Sequence, residues 1–267
     1  MKERIITIYR NDTDISKKTK KLFRQKLEGA GFTVTDELNE KSELIVTIGG
    51  DGVFLTTLHE MGFPDIPFIG INTGHLGFFQ EFSPKQLDEF IFSYEQGRYS
   101  LQVLNTVKGT VACGRKKTQL IALNDIVCKA FDSRSIHLNI SIDGSFVERF
   151  SGDGVVVSTA AGSTAYNYSL GGSIVDPRLK LLQLTPMAPM NTIAYRSFTS
   201  SVLLPSNSML EIVPEKERAE KLIIACDGIE TVFEAVDSLR ITSSRKQIKL
   251  LRFEGYDFWD KVKTKFL

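Results

Sequence analysis

The chain has 267 residues and a mass of 29.9 kDa, long enough for one large domain or two smaller ones with buried cores. Its 42% hydrophobic and 24% charged residues are typical of a globular protein, which excludes a disordered or fibrous one. The chain has 33 Lys and Arg and 32 Asp and Glu, a net charge of +1. It therefore lacks the basic excess that is typical of proteins that bind nucleic acid or an anionic membrane.

The cysteines and the apolar runs indicate the compartment. Cys113, Cys128 and Cys226 are an odd, widely spaced set, which argues against a disulfide framework or a zinc cluster and fits a reducing cytoplasm. The apolar run that starts at Ile5 soon meets Arg10, so it is too short for a secretion signal. No window approaches the roughly 18 apolar residues of a membrane span. We therefore expect a soluble, cytoplasmic protein.

The first hundred residues alternate predicted strands with predicted helices. Asp14 is the expected N-cap of a helix that carries Leu22, Phe23 and Leu27, and Ser83 that of a helix that closes near Gly97. The strands are expected at 4–9, 32–35, 43–48 and 67–71, with a further helix at 53–61. This βαβ rhythm predicts an open α/β sheet.

From about residue 100 the pattern changes to short strands, which predicts an all-β second domain. Asp143-Gly144 is a two-residue hairpin signature, and Asp227-Gly228 is a second candidate. The end of the chain, 257–267, has apolar residues at helical spacing and is expected to return to the first domain. The strands are expected at 108–112, 119–123, 138–142, 145–150, 155–158, 201–204, 210–213, 222–226, 239–243 and 248–253.

The sharpest local signal is the strand-to-helix turn Gly49-Gly50-Asp51-Gly52. Its glycines let backbone N–H groups approach phosphate oxygens at a helix N-terminus, whose dipole favours anions. A carboxylate cannot itself bind phosphate, so Asp51 is interpreted as a metal-linked group or as the proton acceptor of a hydroxyl nucleophile. The alternative is a tight turn in which Asp51 serves as an N-cap.

A second glycine-containing loop, 72–79 (NTGHLGFF), follows the strand predicted at 67–71. In an open α/β sheet this position is at the carboxyl edge, beside the Gly-Asp-Gly turn. Phe78 and Phe79 could then wall a planar ring. The alternative is an ordinary loop whose aromatic side chains belong to the core.

Three further polar segments lie in the second half. Asn124-Asp125 can bind the two hydroxyls of a ribose, or can form an Asx-turn. Segment 151–154 (SGDG) frames another carboxylate with glycines. Segment 162–172 (GSTAYNYSLGG) is dense in small and hydroxyl residues without an apolar period, which favours a ligand-facing loop over a simple turn.

Together these segments resemble the NAD kinase family, specifically the bacterial enzymes. The match extends over both halves: GGDG at 49–52, NTGHLGF at 72–78, Asn124-Asp125, GDG at 152–154, GSTAYN at 162–167 with SLGG at 169–172, and Met-Ala-Pro at 187–189. GGDG alone is shared with lipid kinases and, in related form, with phosphofructokinases. The combination with NTGHLGF and GSTAYN is specific to NAD kinases.

The resemblance implies the fold and the substrates. An α/β N-terminal domain with a Rossmann-like parallel sheet is expected at 1–99, rejoined by 254–267, and a β-sandwich-like domain at 100–253, so the class is α+β overall. NAD is expected between the domains, and ATP is the other substrate, with Mg²⁺ or another divalent cation. The chain is expected to form a homo-oligomer, a dimer or tetramer, in which a neighbouring subunit completes the site.

The resemblance also assigns roles to residues. Asp51 corresponds to the proton acceptor from the adenosine ribose 2′-hydroxyl, and Gly49, Gly50 and Gly52 to the phosphate-binding turn. No residue is assigned as a metal ligand, since phosphates and water are expected to hold the cation. The NAD-binding residues are expected to be Asp51, Gly52, Phe78, Asn124, Asp125, Asp153, Thr164, Ala165, Tyr166, Asn167, Ser169 and Ala188.

Some positions depart from the family pattern. Val53 stands where Thr is usual after GGDG, next to the expected phosphates. The other departures concern the periphery of the dinucleotide site: Ser151 stands where many members carry Arg, and Ala161 where related enzymes have Ser. Tyr168 and Ile229 also differ from the common residues. Two alternative functions remain: a GGDG-type lipid kinase, such as one acting on diacylglycerol, and a catalytically silent NAD(P) or nucleotide sensor.

Overall fold

The computed structural model describes residues 3–132, 134–215 and 221–267, which divide into two compact units. The first unit contains the described residues up to Leu104 together with Gln247–Leu267, and the second is Asn105–Lys246. The chain leaves the first unit along β6 (Tyr99–Cys113) and re-enters it along β17 (Ser238–Phe253).

The first unit is an α/β layer structure built on a parallel sheet in the order β4-β3-β1-β2, with β5 beside β4. The end of β17 joins it, since Leu250 pairs in parallel with Phe68. Strand β3 and residues 5–8 of β1 are buried on both faces because helices cover the sheet. The elements are β1 (Ile5–Arg10), α1 (Asp14–Gly29), β2 (Thr33–Thr35), β3 (Leu44–Gly49), α2 (Asp51–Glu60), β4 (Phe68–Asn72), β5 (Gln80–Phe82), α3 (Leu87–Glu95) and α5 (Phe258–Phe266).

The second unit is a sandwich of two antiparallel sheets. The described strands β13-β12-β11-β8-β15-β16 form one sheet; β10-β9-β14-β17 run through the other, in which β6 pairs with β7. Buried residues of both sheets share one core, including Leu138 and Ile140 of β9 and Val155 and Val157 of β11. The elements are β7 (Lys116–Ala122), β8 (Asp125–Ala130), β9 (Ile136–Ile142), β10 (Ser145–Gly152), β11 (Gly154–Thr159), α4 (Tyr166–Ser169), β12 (Leu181–Met187), β13 (Val202–Pro205), β14 (Leu210–Pro214), β15 (Lys221–Cys226) and β16 (Ile229–Glu234).

The predicted fold class, α/β followed by a β-sandwich, is confirmed by these two units. Both Asp-Gly hairpins are also confirmed. Asp143 and Asp227 have φ angles of 50° and 51°, and each is followed by a glycine with positive φ, as a tight hairpin turn requires.

Several local predictions were wrong. The N-cap of α1 is Thr13, whose side chain accepts the Ser16 N–H, and Asp14 is the first residue of the helix. The strands predicted at 239–243 and 248–253 are parts of the single strand β17. Strands β5, β8, β12 and β16 were not predicted.

Candidate active site

The Gly49–Gly52 turn joins β3 to α2. Gly50 is the N-cap in an extended conformation, with no side-chain capping bond, and Asp51 is the first residue of the helix. The interpretation of Asp51 as the N-cap is therefore wrong. The turn nevertheless has the geometry that favours anions, because the first N–H groups of a helix lack intrahelical partners.

The Asp51 carboxylate holds the loop that follows β4. Its Oδ2 accepts the N–H of Phe78 and its Oδ1 the N–H of Phe79, both at 3.0 Å. An ionised carboxylate has about four acceptor positions, so two backbone bonds leave capacity on both oxygens. The Asp51 side chain is 25% exposed. It is thus a fixed carboxylate with an open side.

The two glycine-containing loops meet at the carboxyl edge of the sheet, as predicted. Gly49 pairs with Asn72 at the ends of β3 and β4, and the Thr73 N–H donates to the Gly49 carbonyl at 3.4 Å. Gly77 is needed at this contact, because a Cβ there would lie 2.4 Å from Oδ1 of Asp51. The close approach of the loop to the carboxylate therefore depends on a glycine.

The aromatic residues of the loop are buried. The Phe79 ring stacks on Phe54 with centroids 4.6 Å apart. The Phe78 ring is 7% exposed and contacts Phe258 and Phe266 of α5, with centroids 5.9 and 6.0 Å away. In this structure both side chains therefore belong to the core, which was the alternative to a wall for a planar ring.

Basic residues that the sequence did not single out surround this loop. Arg252 donates to the Phe78 carbonyl at 3.0 Å and pairs with Glu81 at 2.8 Å. Lys261 donates to the Gln80 carbonyl, and burial, together with the nearby Arg252, lowers its pKa to about 8. Lys265 Nζ lies 3.6 Å from Oδ2 of Asp51. For Lys261 and Lys265 the only sequence signal was the helical period of the chain end, which does not show what a helix contacts; Arg252 lies in strand β17, and nothing in the sequence singled it out.

In the second unit, Asn124 and Asp125 stand at the start of β8, where Asp227 fixes their backbone. The Asp227 carboxylate accepts the N–H groups of Leu123, Asn124 and Asp125 at 2.8, 2.6 and 3.3 Å. The Asn124 Oδ1 is buried and accepts no hydrogen bond from the described residues. Burial raises the pKa of the Asp125 carboxyl to about 7, and the Asp227 carboxylate adds to the rise.

The loop rich in hydroxyl residues lies directly against this pair. A Cβ on Gly162 would meet the Asn124 carbonyl oxygen at 2.1 Å, so only glycine allows the contact. The Thr159 hydroxyl links the two segments, donating to the Leu123 carbonyl at 2.7 Å and accepting the Gly162 N–H at 3.2 Å. The structure therefore brings the two segments together.

This loop contains both buried and exposed side chains. Asn167 is fully buried: its amide donates to the carbonyls of Ser163 and Ser173, and its Oδ1 accepts the Thr185 hydroxyl at 2.6 Å. Thr164 is also buried, whereas Ala165 is half-buried and Tyr166 and Ser169 are exposed. Only part of the segment predicted to face a ligand thus presents its side chains to solvent.

The GDG segment contacts the strand end that precedes Ala188. The Asp153 N–H donates to the Met187 carbonyl at 2.9 Å, and a Cβ on Gly152 would lie 2.7 Å from the Ala188 carbonyl oxygen. The side chains of Asp153 and Ala188 are exposed, and Ala188 has a φ of 44°. These two residues therefore form one exposed edge.

The positions that depart from the family pattern lie in different environments. Val53 packs against the backbone of Gly49, where a Cβ would lie 2.4 Å from its methyl group. Ser151 is buried, and its N–H donates to the Ser197 hydroxyl at 3.1 Å. Tyr168 and Ile229 are exposed, whereas Ala161 is half-buried.

Within ranges 3–132, 134–215 and 221–267, no three or more His, Cys, Asp or Glu side chains are grouped to hold a metal ion. Among these same residues, none of the helices has both the length and the apolar character of a membrane span.

Family models match both halves of the chain. Residues 7–99 match the ATP-NAD kinase N-terminal domain and residues 123–253 the ATP-NAD kinase C-terminal domain. The NAD kinase of Finegoldia magna is 38% identical over 99% of this chain and 98% of its own length. NAD kinase 1 of Listeria innocua is 34% identical over 89% of this chain and 91% of its own length.

Solved structures share the fold. An NAD kinase from Archaeoglobus fulgidus in complex with ATP superposes with a TM-score of 0.77 at 25% identity, covering 98% of this chain and 99% of that one. Yeast NADH kinase complexed with NADH gives a TM-score of 0.85 at 21% identity, covering 98% of this chain and 86% of that one.

Proposed function

This chain belongs to the ATP-NAD kinase family, and from that premise we propose that it transfers the γ-phosphoryl group of ATP to the adenosine ribose 2′-hydroxyl of NAD, giving NADP. The assignment of Asp51 as the catalytic residue depends on one observation. Two backbone N–H groups hold its carboxylate beside a glycine turn at a helix N-terminus.

Phosphoryl transfer leaves little covalent chemistry to the protein, so catalysis rests on position and charge. We assign the ATP phosphates to the backbone of Gly49, Gly50 and Gly52, where the α2 dipole favours negative charge. Asp51 accepts the proton of the 2′-hydroxyl as that oxygen attacks phosphorus. Its two backbone bonds fix the carboxylate before the substrate arrives, which avoids reorganisation during the reaction.

The divalent cation is assigned to the nucleotide rather than to the protein. The oxygen ligands that Mg²⁺ prefers are plentiful on a triphosphate, and the described residues provide no cluster of carboxylates for a protein cage. When bound, the cation spreads the phosphate charge. The role of the chain is then to receive a nucleotide that already carries its cation.

The NAD contacts are assigned to Asn124 and Asp125 for ribose hydroxyls, and to a further set of residues around them. Support comes from the buried Asn124 Oδ1 without a partner among the described residues, since such atoms are costly unless a ligand satisfies them. The Asn167 amide is hydrogen-bonded within the protein, so we propose that Asn167 holds the conformation of its loop. We propose that Phe78 contributes mainly through its backbone N–H, which donates to Asp51. The further set comprises Gly52, Asp153, Thr164, Ala165, Tyr166, Ser169 and Ala188.

The direct test uses purified protein with Mg²⁺ and ATP, offered NAD or diacylglycerol in separate reactions. We expect NADP to form and diacylglycerol to remain unphosphorylated. Phosphorylated lipid would favour the lipid-kinase alternative, and binding of NAD without turnover would favour the silent sensor. An intact Asp51 weighs against the sensor, and cytoplasmic NAD and ATP pools fit the cytoplasmic location that we propose.

Replacing Asp125 by Ala should weaken NAD binding by about 1.5–3 kcal/mol, the range for hydrogen bonds to a charged group. The pH dependence follows from the raised pKa of about 7. Ribose hydroxyls donate to the ionised carboxylate, so below that pH NAD binding must first displace a proton. The dissociation constant for NAD should therefore rise by up to about tenfold for each pH unit below 7.

Calorimetry from about pH 5.5 to 8 measures both effects, with Asp125→Asn as the matched variant that cannot ionise. Its NAD affinity should stay nearly constant with pH while the wild-type affinity changes. Wild-type NAD affinity in the Ala variant, or the wild-type pH profile in the Asn variant, would contradict a role in NAD binding. Asn124-Asp125 would then have only the structural role of a turn.

We expect the protein to form a homo-oligomer, a dimer or tetramer. Support comes from a segment of the second unit that exposes Met190, Ile193 and Phe198, with Ile193 fully accessible. Light scattering should give a mass above one chain, and Ile193→Asp should lower it. Activity should also fall on dilution below the assembly constant. A monomer that is fully active at assay concentration would contradict this expectation.

A further inference from the structure

The C-terminal helix α5 brings an ammonium group to the Asp51 carboxylate. Lys265 Nζ lies 3.6 Å from Oδ2 of Asp51 and 4.6 Å from the centroid of the Phe78 ring. The side chain is 32% exposed, so solvent and a ligand can reach it. All three residues belong to the first unit. Lys265 is thus an accessible cation at the site of the proposed proton transfer.

The ion pair itself is a weak reason for this lysine. At 3.6 Å, with both side chains partly exposed, such a pair contributes little to stability. The two backbone N–H groups at 3.0 Å already hold Asp51 in place. Lys265 is therefore not needed to orient the carboxylate.

The helix that carries Lys265 is held firmly at this position. Phe258 and Phe266 pack on the Phe78 ring, and Val262 is buried. One turn before Lys265, Lys261 donates to the Gln80 carbonyl and lies 3.7 Å from Glu81. The base of the Lys265 side chain is therefore fixed, while its ammonium end can move between nearby anions.

The Gly49–Gly52 turn itself carries no basic side chain, and the nearby Arg252 and Lys261 are engaged with Glu81. A triphosphate is strongly anionic, and Gly49–Gly52 provides backbone donors but only the negative side chain of Asp51. A carboxylate next to a phosphoryl group repels it, unless a positive charge lies between or beside them. Lys265 lies where that compensation is needed.

We infer that Lys265 binds the transferring γ-phosphoryl group of ATP, an assignment that rests on the proposed function. In the reaction the 2′-oxygen of NAD forms a bond to the γ-phosphorus as its proton passes to Asp51. The bond from that phosphorus to the β,γ-bridging oxygen breaks, and its electron pair leaves with ADP. Lys265 exchanges no proton or electron. Its positive charge balances the negative charge on the phosphoryl oxygens and weakens their repulsion from the Asp51 carboxylate.

The test compares Lys265→Met, which keeps the length of the side chain without its charge, with Lys265→Arg and with the control Lys263→Met. Lys263 is exposed on the same helix. We expect Lys265→Met to lower kcat/KM for ATP by about tenfold or more, because a charge-assisted contact to phosphate is lost. NAD affinity by calorimetry and thermal stability should be unchanged, the Arg variant should retain most of the activity, and the control should match the wild type.

A value of kcat/KM for ATP within twofold of the wild type in Lys265→Met would overturn the inference, and so would a loss of NAD affinity with unchanged ATP kinetics. Binding of Mg²⁺-ATP in the absence of NAD provides a readout without turnover, and it too should weaken in Lys265→Met. If the wild-type protein makes no NADP, the proposed function fails. If NADP forms and Lys265→Met behaves as the wild type in both readouts, only the role of Lys265 fails.

Discussion

Replacing Asp51 by Asn is expected to slow NADP formation by about 10²–10⁴-fold, the usual cost of losing a general base. The amide cannot accept the proton of the 2′-hydroxyl. It also cannot accept both backbone N–H groups, because its nitrogen is a donor facing either Phe78 or Phe79. We therefore expect a folded variant that binds NAD but is about 1–3 kcal/mol less stable.

The measurement is kcat for NADP formation, beside NAD affinity and the free energy of unfolding of the same variant. Asp14→Asn is the matched control, since Asp14 is an exposed carboxylate in the first turn of α1; it should leave kcat and NAD affinity unchanged and lower the free energy of unfolding by at most about 1 kcal/mol. A kcat near the wild-type value would contradict the catalytic assignment. Loss of NAD binding together with kcat would assign Asp51 to positioning the ribose.

Replacing Arg252 by Met is expected to destabilise the protein by about 3–5 kcal/mol, because it breaks a buried ion pair. Arg252 is 5% exposed; it pairs with Glu81 at 2.8 Å and donates to the Phe78 carbonyl at 3.0 Å and to Gln102 at 2.9 Å. Its removal leaves the Glu81 carboxylate buried, with the Phe253 N–H at 3.3 Å and the Lys261 ammonium at 3.7 Å as its remaining partners among the described residues.

Urea denaturation measures this loss, and Arg178→Met is the control, because the Arg178 side chain is 83% exposed and its pair with Asp176 should contribute little to stability. Adding Glu81→Gln to Arg252→Met should recover part of the stability, since it removes the uncompensated charge. A loss below about 1 kcal/mol in the single variant, or no recovery in the double variant, would show that the buried pair does not stabilise the loop.

The sequence by itself determined the local parts of this protein. The apolar periods and the glycine turns fixed the βαβ order of the first unit, both Asp-Gly hairpins, and the meeting of the 49–52 turn with the loop after β4. The strands, helices and hairpins depend on neighbours in the chain, whose spacing of two or 3.6 residues is visible in the sequence. The meeting of the two loops follows because parallel strands of one sheet end at the same edge. The family, too, followed from short motifs in order.

The tertiary structure alone decided what those motifs contact. Asp51 turned out to bind backbone N–H groups rather than to cap its helix, and its nearest cation, Lys265, comes from the opposite end of the chain. Asn167 faces inward, and Asp227 supports Asn124 and Asp125 from a distant hairpin. These contacts join residues that are far apart in the chain, and the packing of sheets and helices determines them. The spacing of residues within one segment does not show which distant side chain will contact it.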